Sequence, residues 1–112
     1  KLEGMDQKFY PMTGVLEGEG FRRERMTRFG YISLEDRENG TVTGTSGSIR
    51  GHEFHYWDST NPGRAMYARK PASQRGWDCM IRTETILAGF PHLYYRSAPE
   101  WILQFLNRED DR

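Results

Sequence analysis

The seven residues from Arg50 to Tyr56 (RGHEFHY) constrain the fold of this chain more than any other segment. They include two of the three histidines, a glutamate and two aromatic residues. A Gly/Ser-rich approach, Gly44 to Ser48, precedes them, and a turn-forming exit, Asp58 to Gly63, follows them. A segment of this kind between turn-rich flanks predicts a β-strand, in which alternate side chains point to opposite faces of a sheet.

This alternation divides the side chains of the predicted strand into two sets. Glu53 and His55 share one face, within reach of each other. The opposite face carries Arg50, His52, Phe54 and Tyr56. A carboxylate beside an imidazole can orient a functional group, or it can be a satisfied buried polar pair. These seven residues favour the second interpretation and leave both open.

The apolar content indicates a small core. Only 36% of the 112 residues are apolar and the mean hydropathy is −0.85, whereas globular domains usually have about 45 to 50% apolar residues. The length fits one domain or part of one. The shortfall is typical of a fragment of a larger fold, an oligomer or a marginally stable domain. An aromatic content of 13% argues against disorder.

The charge balance argues against nucleic-acid and membrane partners. Sixteen basic and sixteen acidic residues give a net charge of zero, so no global field attracts polyanions or anionic lipid. The basic stretch Phe21 to Arg28 is interrupted by Glu24 and is interpreted as a solvated face. No apolar run approaches the roughly 20 residues of a membrane helix, and no signal-peptide pattern begins the chain.

A single cysteine, Cys79, excludes a disulfide framework within the chain and fits a cytoplasmic protein. It falls within a predicted strand, so we interpret it as a small core residue and not as a nucleophile. The first residue is Lys1 and not Met, which suggests a piece cut from a longer chain.

The remaining pattern predicts a β-rich body with one terminal helix. Asn39-Gly40 is a tight-hairpin signal before Thr41 to Thr43, and Lys70 to Gly76 is a polar loop. His92 is expected just past a strand end, where functional sites are common. The other predicted strands are Lys8 to Leu16, Phe29 to Leu34, Arg64 to Ala68 and Trp77 to Leu87.

The terminal helix is predicted to start at Ser97, as N-cap, with Glu100 as its capping-box partner and Pro99 in the first turn. A charged tail from Arg108 to Arg112 ends it. Its apolar stripe consists of Trp101, Ile102, Phe105 and Leu106.

Two familiar kinds of site do not match the spacing. His52 and His55 stand three residues apart in a strand-like segment, not four apart on a helix as in H-E-x-x-H metalloproteases. A metal site made by His52, His55 and His92 is therefore a weak alternative, and no metal ligand is assigned. The glycines between Gly40 and Gly51 do not open a helix, so no phosphate-cradling loop is predicted.

Four motifs together resemble the cobyrinic acid a,c-diamide synthase family. Arg50 to Tyr56 is similar to an R-G-H-E-F-H-Y-S signature in the C-terminal glutamine amidotransferase domain of that family, with Trp57 in place of Ser. Tyr10 to Leu16 is similar to Y-P-M-x-G-V-L, Phe29 to Tyr31 to L-G-Y, and Ala88 to Tyr95 to A-S-Y-x-H-L-H-F. The motifs follow the order of the family and cover nearly the whole chain.

The resemblance implies a class I glutaminase in which a cysteine attacks glutamine and a histidine transfers the proton. His92 matches the catalytic histidine, and an imidazole with a solution pKa of about 6.5 suits that role. The family's nucleophile lies in an upstream Cys-Gly-Gly elbow, which Cys79 does not match. Two positions depart from the family: Tyr94 replaces the second histidine and Gly89 a serine.

The leading hypothesis is that residues 1–112 form a single partial domain of the α/β class. It would be the β-rich C-terminal portion of a flavodoxin-like class I glutamine amidotransferase domain, with a mixed sheet, a hairpin near Asn39-Gly40 and a C-terminal helix; folded alone it would be α+β. His92 is the predicted catalytic residue, and Glu53 and His55 are predicted to shape the site.

The partners expected from the resemblance are glutamine, a corrinoid substrate and the remainder of the parent chain. The family uses ATP and magnesium in a separate domain, so no cofactor is expected on this chain, which alone would be inactive. The alternative hypothesis is a non-catalytic β-rich module for binding or homo-oligomerisation, which thin cores and unpaired strand edges favour.

Overall fold

A five-stranded antiparallel sheet is the centre of the fold. The computed structural model describes residues 1–37 and 47–107, with the backbone alone for Ile102, Gln104, Phe105 and Asn107. Its strands are Arg28–Asp36 (β4), Ser48–His55 (β5), Met66–Arg69 (β7), Gly76–Cys79 (β8) and His92–Tyr94 (β11). Their order across the sheet is β11-β5-β4-β7-β8.

Six further strands in the described part of the chain form smaller sheets around it. They are Leu2–Glu3 (β1), Phe9–Tyr10 (β2), Gly20–Arg22 (β3), Trp57–Ser59 (β6), Ile81–Arg82 (β9) and Leu87–Ala88 (β10). Four of them belong to a mixed sheet of order β2-β1-β3-β6, in which β1 and β3 are parallel. The other two, β9 and β10, form a two-stranded hairpin.

Alternation along β4 and β5 builds the core on one face of the central sheet. Ile32 and Leu34 on β4 and Ile49 on β5 are buried, while their neighbours Tyr31 and Arg50 are exposed. Each fully buried aliphatic side chain of this kind contributes about 1.5 to 3 kcal/mol. The core cluster consists of Ile32, Leu34, Ile49, Met66, Ala68, Cys79, Met80 and Trp101.

The C-terminal segment packs on this core through a short 3-10 turn, Tyr95–Ser97, and the helix Pro99–Asn107 (α1). Pro99 lies in the first turn of the helix, as predicted, where its missing N–H costs no helical hydrogen bond. Trp101 is buried in the core, but Leu106 is 61% exposed, so the predicted apolar stripe is wrong at that position. The side chains of Ile102 and Phe105 and the tail 108–112 lie outside the described residues.

Ser97 does not cap the helix, which corrects the prediction. Its hydroxyl donates to the carbonyl oxygen of Tyr94 at 2.7 Å and accepts from the backbone N–H of Arg50 at 2.9 Å. The hydroxyl therefore joins the end of β11 to β5. The 3-10 turn intervenes before the helix, and this moves the helix start to Pro99.

The predicted strands are confirmed in part. Phe29 to Leu34 lies within β4, and Arg64 to Ala68 overlaps β7. The polar loop after Lys70 joins β7 to β8, since the N–H of Lys70 bonds to the carbonyl oxygen of Arg75 at 2.9 Å. The basic stretch is a solvated surface at residues 22–25, which are all exposed, but Phe21 and residues 26–28 are half-buried. The hairpin near Asn39-Gly40 lies outside the described residues.

Two predicted strands are wrong in extent. Lys8 to Leu16 contains only the two-residue strand β2, which pairs with β1 and ends before Pro11. Trp77 to Leu87 is broken into β8, β9 and β10, because Met80 has a φ of 67° and the Thr83 hydroxyl accepts from the N–H of Ile86 in a turn. The alternating sequence pattern does not reveal the breaks at Met80 and Thr83.

The described residues form a β-rich architecture with one α-helix, in agreement with the coarse prediction. The four-stranded sheet is mixed, whereas every neighbouring pair in the central sheet is antiparallel. The described residues do not show the flavodoxin-like arrangement, which is a proposal.

Candidate functional site

Glu53 and His55 lie together on the core face of β5, as the alternation predicts. Glu53 is 3% exposed, and its Oε1 lies 3.5 Å from Nε2 of His55. Among the described residues, the second carboxyl oxygen of Glu53 has no hydrogen-bond partner. Burial raises the pKa of this carboxyl, and the positive charges of His55 and Arg28 oppose the increase only in part.

The contacts of His55 define its proton arrangement. Its Nδ1 lies 2.6 Å from the carbonyl oxygen of Trp57, and a carbonyl only accepts, so Nδ1 carries a proton. The nitrogen that faces Glu53 is therefore Nε2, which lies 3.5 Å from Oε1 of Glu53 and forms no hydrogen bond with the described residues. The ring also stacks on Phe90, with centroids 4.1 Å apart. The pair thus reaches the segment that leads into His92, but no contact joins it to His92 directly.

Glu53→Gln is expected to change how stability depends on pH. Because the pKa of Glu53 is raised in the fold, the native state holds this proton more tightly than the unfolded state does. That stabilisation is complete below the unfolded pKa of about 4.5 and is lost as pH rises through the folded value. Each pKa unit between the folded and unfolded values changes the free energy of unfolding by about 1.4 kcal/mol.

Urea unfolding of both proteins between pH 4 and pH 8 tests this expectation. The free energy of unfolding of the glutamine variant should increase relative to the wild type as pH rises. A difference that stays constant over this range would contradict it.

His92 lies on the opposite face of the sheet, beside His52. The two residues face each other across β11 and β5, with ring centroids 4.8 Å apart. Both side chains are exposed. Gly51 allows this close approach of the strands, because a Cβ there would lie 2.5 Å from the carbonyl oxygen of His92.

Two grooves adjoin this histidine pair. One, of about 580 Å³, is lined by His92 with Leu87, Pro91 and Trp101, among others. The other, of about 710 Å³, runs over the exposed face of the sheet. Its lining includes Tyr31, Arg50, His52 and Tyr94. The pair thus lies where a small molecule or another part of a protein can reach the imidazoles.

Cys79 is a core residue, as the sequence predicts. It is 3% exposed, and burial raises the pKa of its thiol to about 12, with further increases from the negative charges of Glu53 and Asp78. The thiol therefore stays protonated near neutral pH and is a poor nucleophile.

The metal alternative gains no support from the geometry. His55 points to the core face, while His52 and His92 are on the outer face. Within residues 1–37 and 47–107, no three His, Cys, Asp or Glu side chains are grouped to hold a metal ion.

No helix in the described part of the chain has the length and apolar character needed to span a membrane.

Curated proteins similar to this chain share one name. A cobyrinate a,c-diamide synthase of Salmonella typhimurium is 28% identical over 109 residues, or 94% of the chain. Proteins of the same name from Listeria monocytogenes and Picrophilus torridus are 30% and 32% identical, over 81% and 82% of the chain. The chain is homologous to part of the cobyrinate a,c-diamide synthases. The resemblance inferred from the motifs is thereby confirmed.

The chain spans only about a fifth to a quarter of these cobyrinate a,c-diamide synthases: 24%, 21% and 19% of the three relatives in turn. No family model matches the sequence, and no solved structure matches it. The similarity therefore covers nearly all of this chain but a small part of each cobyrinate a,c-diamide synthase.

The contact between the His52 and His92 rings was not predicted from the sequence. It placed His52 on the face opposite Glu53 and His55, which is confirmed, but it gave no reason to join that face to residue 92. The pairing of β11 with β5 joins residues 40 positions apart. A signal was nevertheless present, since Gly51 in the RGHEFHY stretch marks a close backbone approach.

Proposed function

We propose that the chain is the C-terminal part of the class I glutamine amidotransferase domain of a cobyrinate a,c-diamide synthase-like protein. The shared name of its relatives supports this, and so does the order of the four motifs along the chain. The complete protein would hydrolyse glutamine and use the ammonia, with ATP, to amidate carboxylates of a corrinoid in cobalamin biosynthesis. Its location would be the cytoplasm.

An exposed aromatic surface supports packing of this chain against a further part of the proposed flavodoxin-like domain. Phe29, Tyr31 and Phe54 are 64%, 78% and 55% exposed on the outer face of the central sheet. Phe29 and Phe54 are also edge-to-face neighbours, with centroids 5.8 Å apart. Contiguous exposed aromatic surface is typical of an interface. We propose that the remainder of the parent chain packs on this face.

His92 is the proposed proton carrier of the glutaminase reaction, and its exposed position beside a groove is the observation that carries the proposal. A cysteine thiolate would attack the amide carbon of glutamine and form a C–S bond. As the C–N bond breaks, His92 would deliver the proton that the leaving ammonia needs. Water would then release glutamate from the thioester, with His92 accepting a proton.

The nucleophile of this reaction would come from outside the 112 residues. Cys79 is buried on the core face, with its thiol pKa raised to about 12. It therefore meets neither the access nor the ionisation that a nucleophilic thiol needs. This agrees with the upstream Cys-Gly-Gly elbow implied by the resemblance.

Glu53 and His55 are proposed to shape the site through Phe90. Stacking of the His55 ring on Phe90 anchors the backbone two residues before His92. The buried carboxyl group of Glu53 in turn lies 3.5 Å from Nε2 of the His55 ring. Their role would be the position of His92, not proton transfer to substrate.

We propose no nucleotide chemistry for this chain. In the complete protein, ATP and magnesium would bind in a separate domain.

His92→Ala is expected to lower glutamine hydrolysis by about 10²-fold or more, the usual contribution of a general acid–base group. The assay uses the Salmonella typhimurium relative with its matching segment replaced by this chain, so that a complete protein is present. Glutamate release is measured without a corrinoid.

Arg25→Ala is the control, because Arg25 is exposed and belongs neither to the aromatic face nor to the groove lined by His92. Its rate should stay within about threefold of the parent, and thermal unfolding checks that both variants fold. Equal rates for His92→Ala and the parent would remove His92 from the mechanism.

The rival function is a non-catalytic binding or oligomerisation module, and the exposed aromatic face favours it. The rival predicts that the 112-residue chain is a dimer or larger in light scattering. Tyr31→Glu should then shift it toward monomer, because a buried unpaired charge is costly in an interface. Met12→Glu, at a residue 60% exposed in a loop, is the control and should leave the mass unchanged. A cooperatively folding monomer would contradict the rival.

A further inference from the structure

A third groove, of about 380 Å³, gathers positive charge at a different place in the fold. It lies where the end of β4, the connection from β6 to β7 and the start of β9 meet. Its described lining residues include three arginines and no aspartate or glutamate: Arg37, Asn61, Gly63, Arg64, Ala65, Met80, Ile81 and Arg82. The chain as a whole has no net charge, so this is a local concentration of cations.

Backbone hydrogen bonds hold the three arginine-bearing segments together. The N–H of Arg37 donates to the carbonyl oxygen of Ala65 at 3.1 Å. The N–H of Ala65 donates to the carbonyl oxygen of Met80 at 2.9 Å. Gly63 also forms a bridge with Met80. The groove is therefore built on fixed backbone, and the arginine side chains extend from a preorganised frame.

The three guanidinium groups are not equally compensated. Arg37 forms an ion pair with Asp78 and lies over the ring of Tyr67, 4.8 Å from its centroid. Arg64 and Arg82 are exposed, and neither side chain forms a hydrogen bond or ion pair with the described residues. One carboxylate thus accompanies three cations, so two positive charges are left to face the groove.

We propose that this groove binds a small anion through a carboxylate or phosphate group, with Arg64 and Arg82 as its direct ligands. Guanidinium groups pair with both kinds of anion through forked hydrogen bonds. Arg37 forms a fixed wall, because Asp78 and Tyr67 already orient it. The volume admits inorganic phosphate or a short dicarboxylate. This site is independent of the glutaminase chemistry proposed for His92.

Titration of the 112-residue protein with inorganic phosphate, and separately with succinate, tests the proposal. Backbone amide shifts of residues 63–65 and 80–82 are followed by NMR at constant ionic strength, set with chloride. We expect saturable shifts with at least one anion. Phosphate alone or succinate alone would identify the preferred group, and saturation by both would support the shared chemistry.

Arg64→Gln and Arg82→Gln should each weaken binding by about three- to tenfold, the effect of losing one charge-assisted hydrogen bond at an exposed site. Arg64→Lys should weaken it less, because the charge stays while the fork is lost. Arg25→Gln is the matched control, since Arg25 is an exposed arginine elsewhere on the chain; it should change the affinity less than twofold.

Two results would overturn the proposal. Shifts that do not saturate with either anion would exclude a site. Equal weakening by Arg25→Gln and the two groove variants would show that only the overall charge matters. Amide spectra that retain the wild-type dispersion establish that each variant is folded.

Discussion

Gly63→Ala is expected to destabilise the chain by about 3 kcal/mol or more, among the larger effects of a single substitution. Gly63 has a φ of 90°, and an added Cβ would lie 2.1 Å from the carbonyl oxygen of Met80. The positive φ and the Met80 carbonyl are both features of the backbone, so rotation of a side chain cannot relieve either of them. The connection between β6 and β7 would have to move away from β9.

Gly14→Ala is the matched control for this substitution. Gly14 also has a positive φ, 78°, but nothing lies within 4 Å of an added Cβ. It should therefore cost only about 1 kcal/mol, the strain of the backbone conformation alone. Urea denaturation of the three proteins gives both values. Equal losses at the two positions would show that contact with Met80 is unimportant.

Leu34→Ala is expected to cost about 3 kcal/mol, within the range for truncating a buried leucine. Leu34 is fully buried, faces Ile49 across β4 and β5 and belongs to the main core cluster. Because a small domain has only about 5 to 15 kcal/mol of stability, this loss would lower the denaturation midpoint strongly.

The same substitution at Leu106 is the control, because it removes the same atoms from a leucine that is not buried. Leu106 is 61% exposed on α1, so Leu106→Ala should change the free energy of unfolding by less than about 0.5 kcal/mol. Urea unfolding followed by circular dichroism measures both variants. A larger loss at Leu106 than at Leu34 would contradict the assignment of the core.

Local pattern predicted the central part of the fold well. The alternation of RGHEFHY follows from side-chain geometry within one strand, and both of its faces agree with the structure. The predicted strand Phe29 to Leu34 also lies within β4. The pairing of Glu53 with His55 follows from the same rule. These features depend on residues two positions apart, which a sequence displays directly.

Features that depend on distant contacts were not predictable in the same way. Alternating residues from Trp77 to Leu87 indicated one strand, but Met80 adopts a positive φ within the core and the chain turns at Thr83. Ser97 has the sequence context of a helix cap, yet its hydroxyl joins β11 to β5. In each case tertiary contacts outweigh local preference.

The candidate site also combines a feature that the sequence predicted with one that depends on distant contacts. His92 was identified through its motif, and its surroundings required the register of β11 against β5. That register places His52, and not Glu53 or His55, next to the His92 ring. An antiparallel pairing between residues 40 positions apart leaves little trace in one sequence.

The buried cysteine gives the molecule an internal reporter of its own opening. Cys79 ends β8, an outer strand of the central sheet, and its thiol has neither access to solvent nor a tendency to ionise while the sheet is closed. Reagents that label thiolates can reach it only when the core around it opens locally or the whole domain unfolds. The labelling rate therefore measures how often this core opens, without any engineered probe.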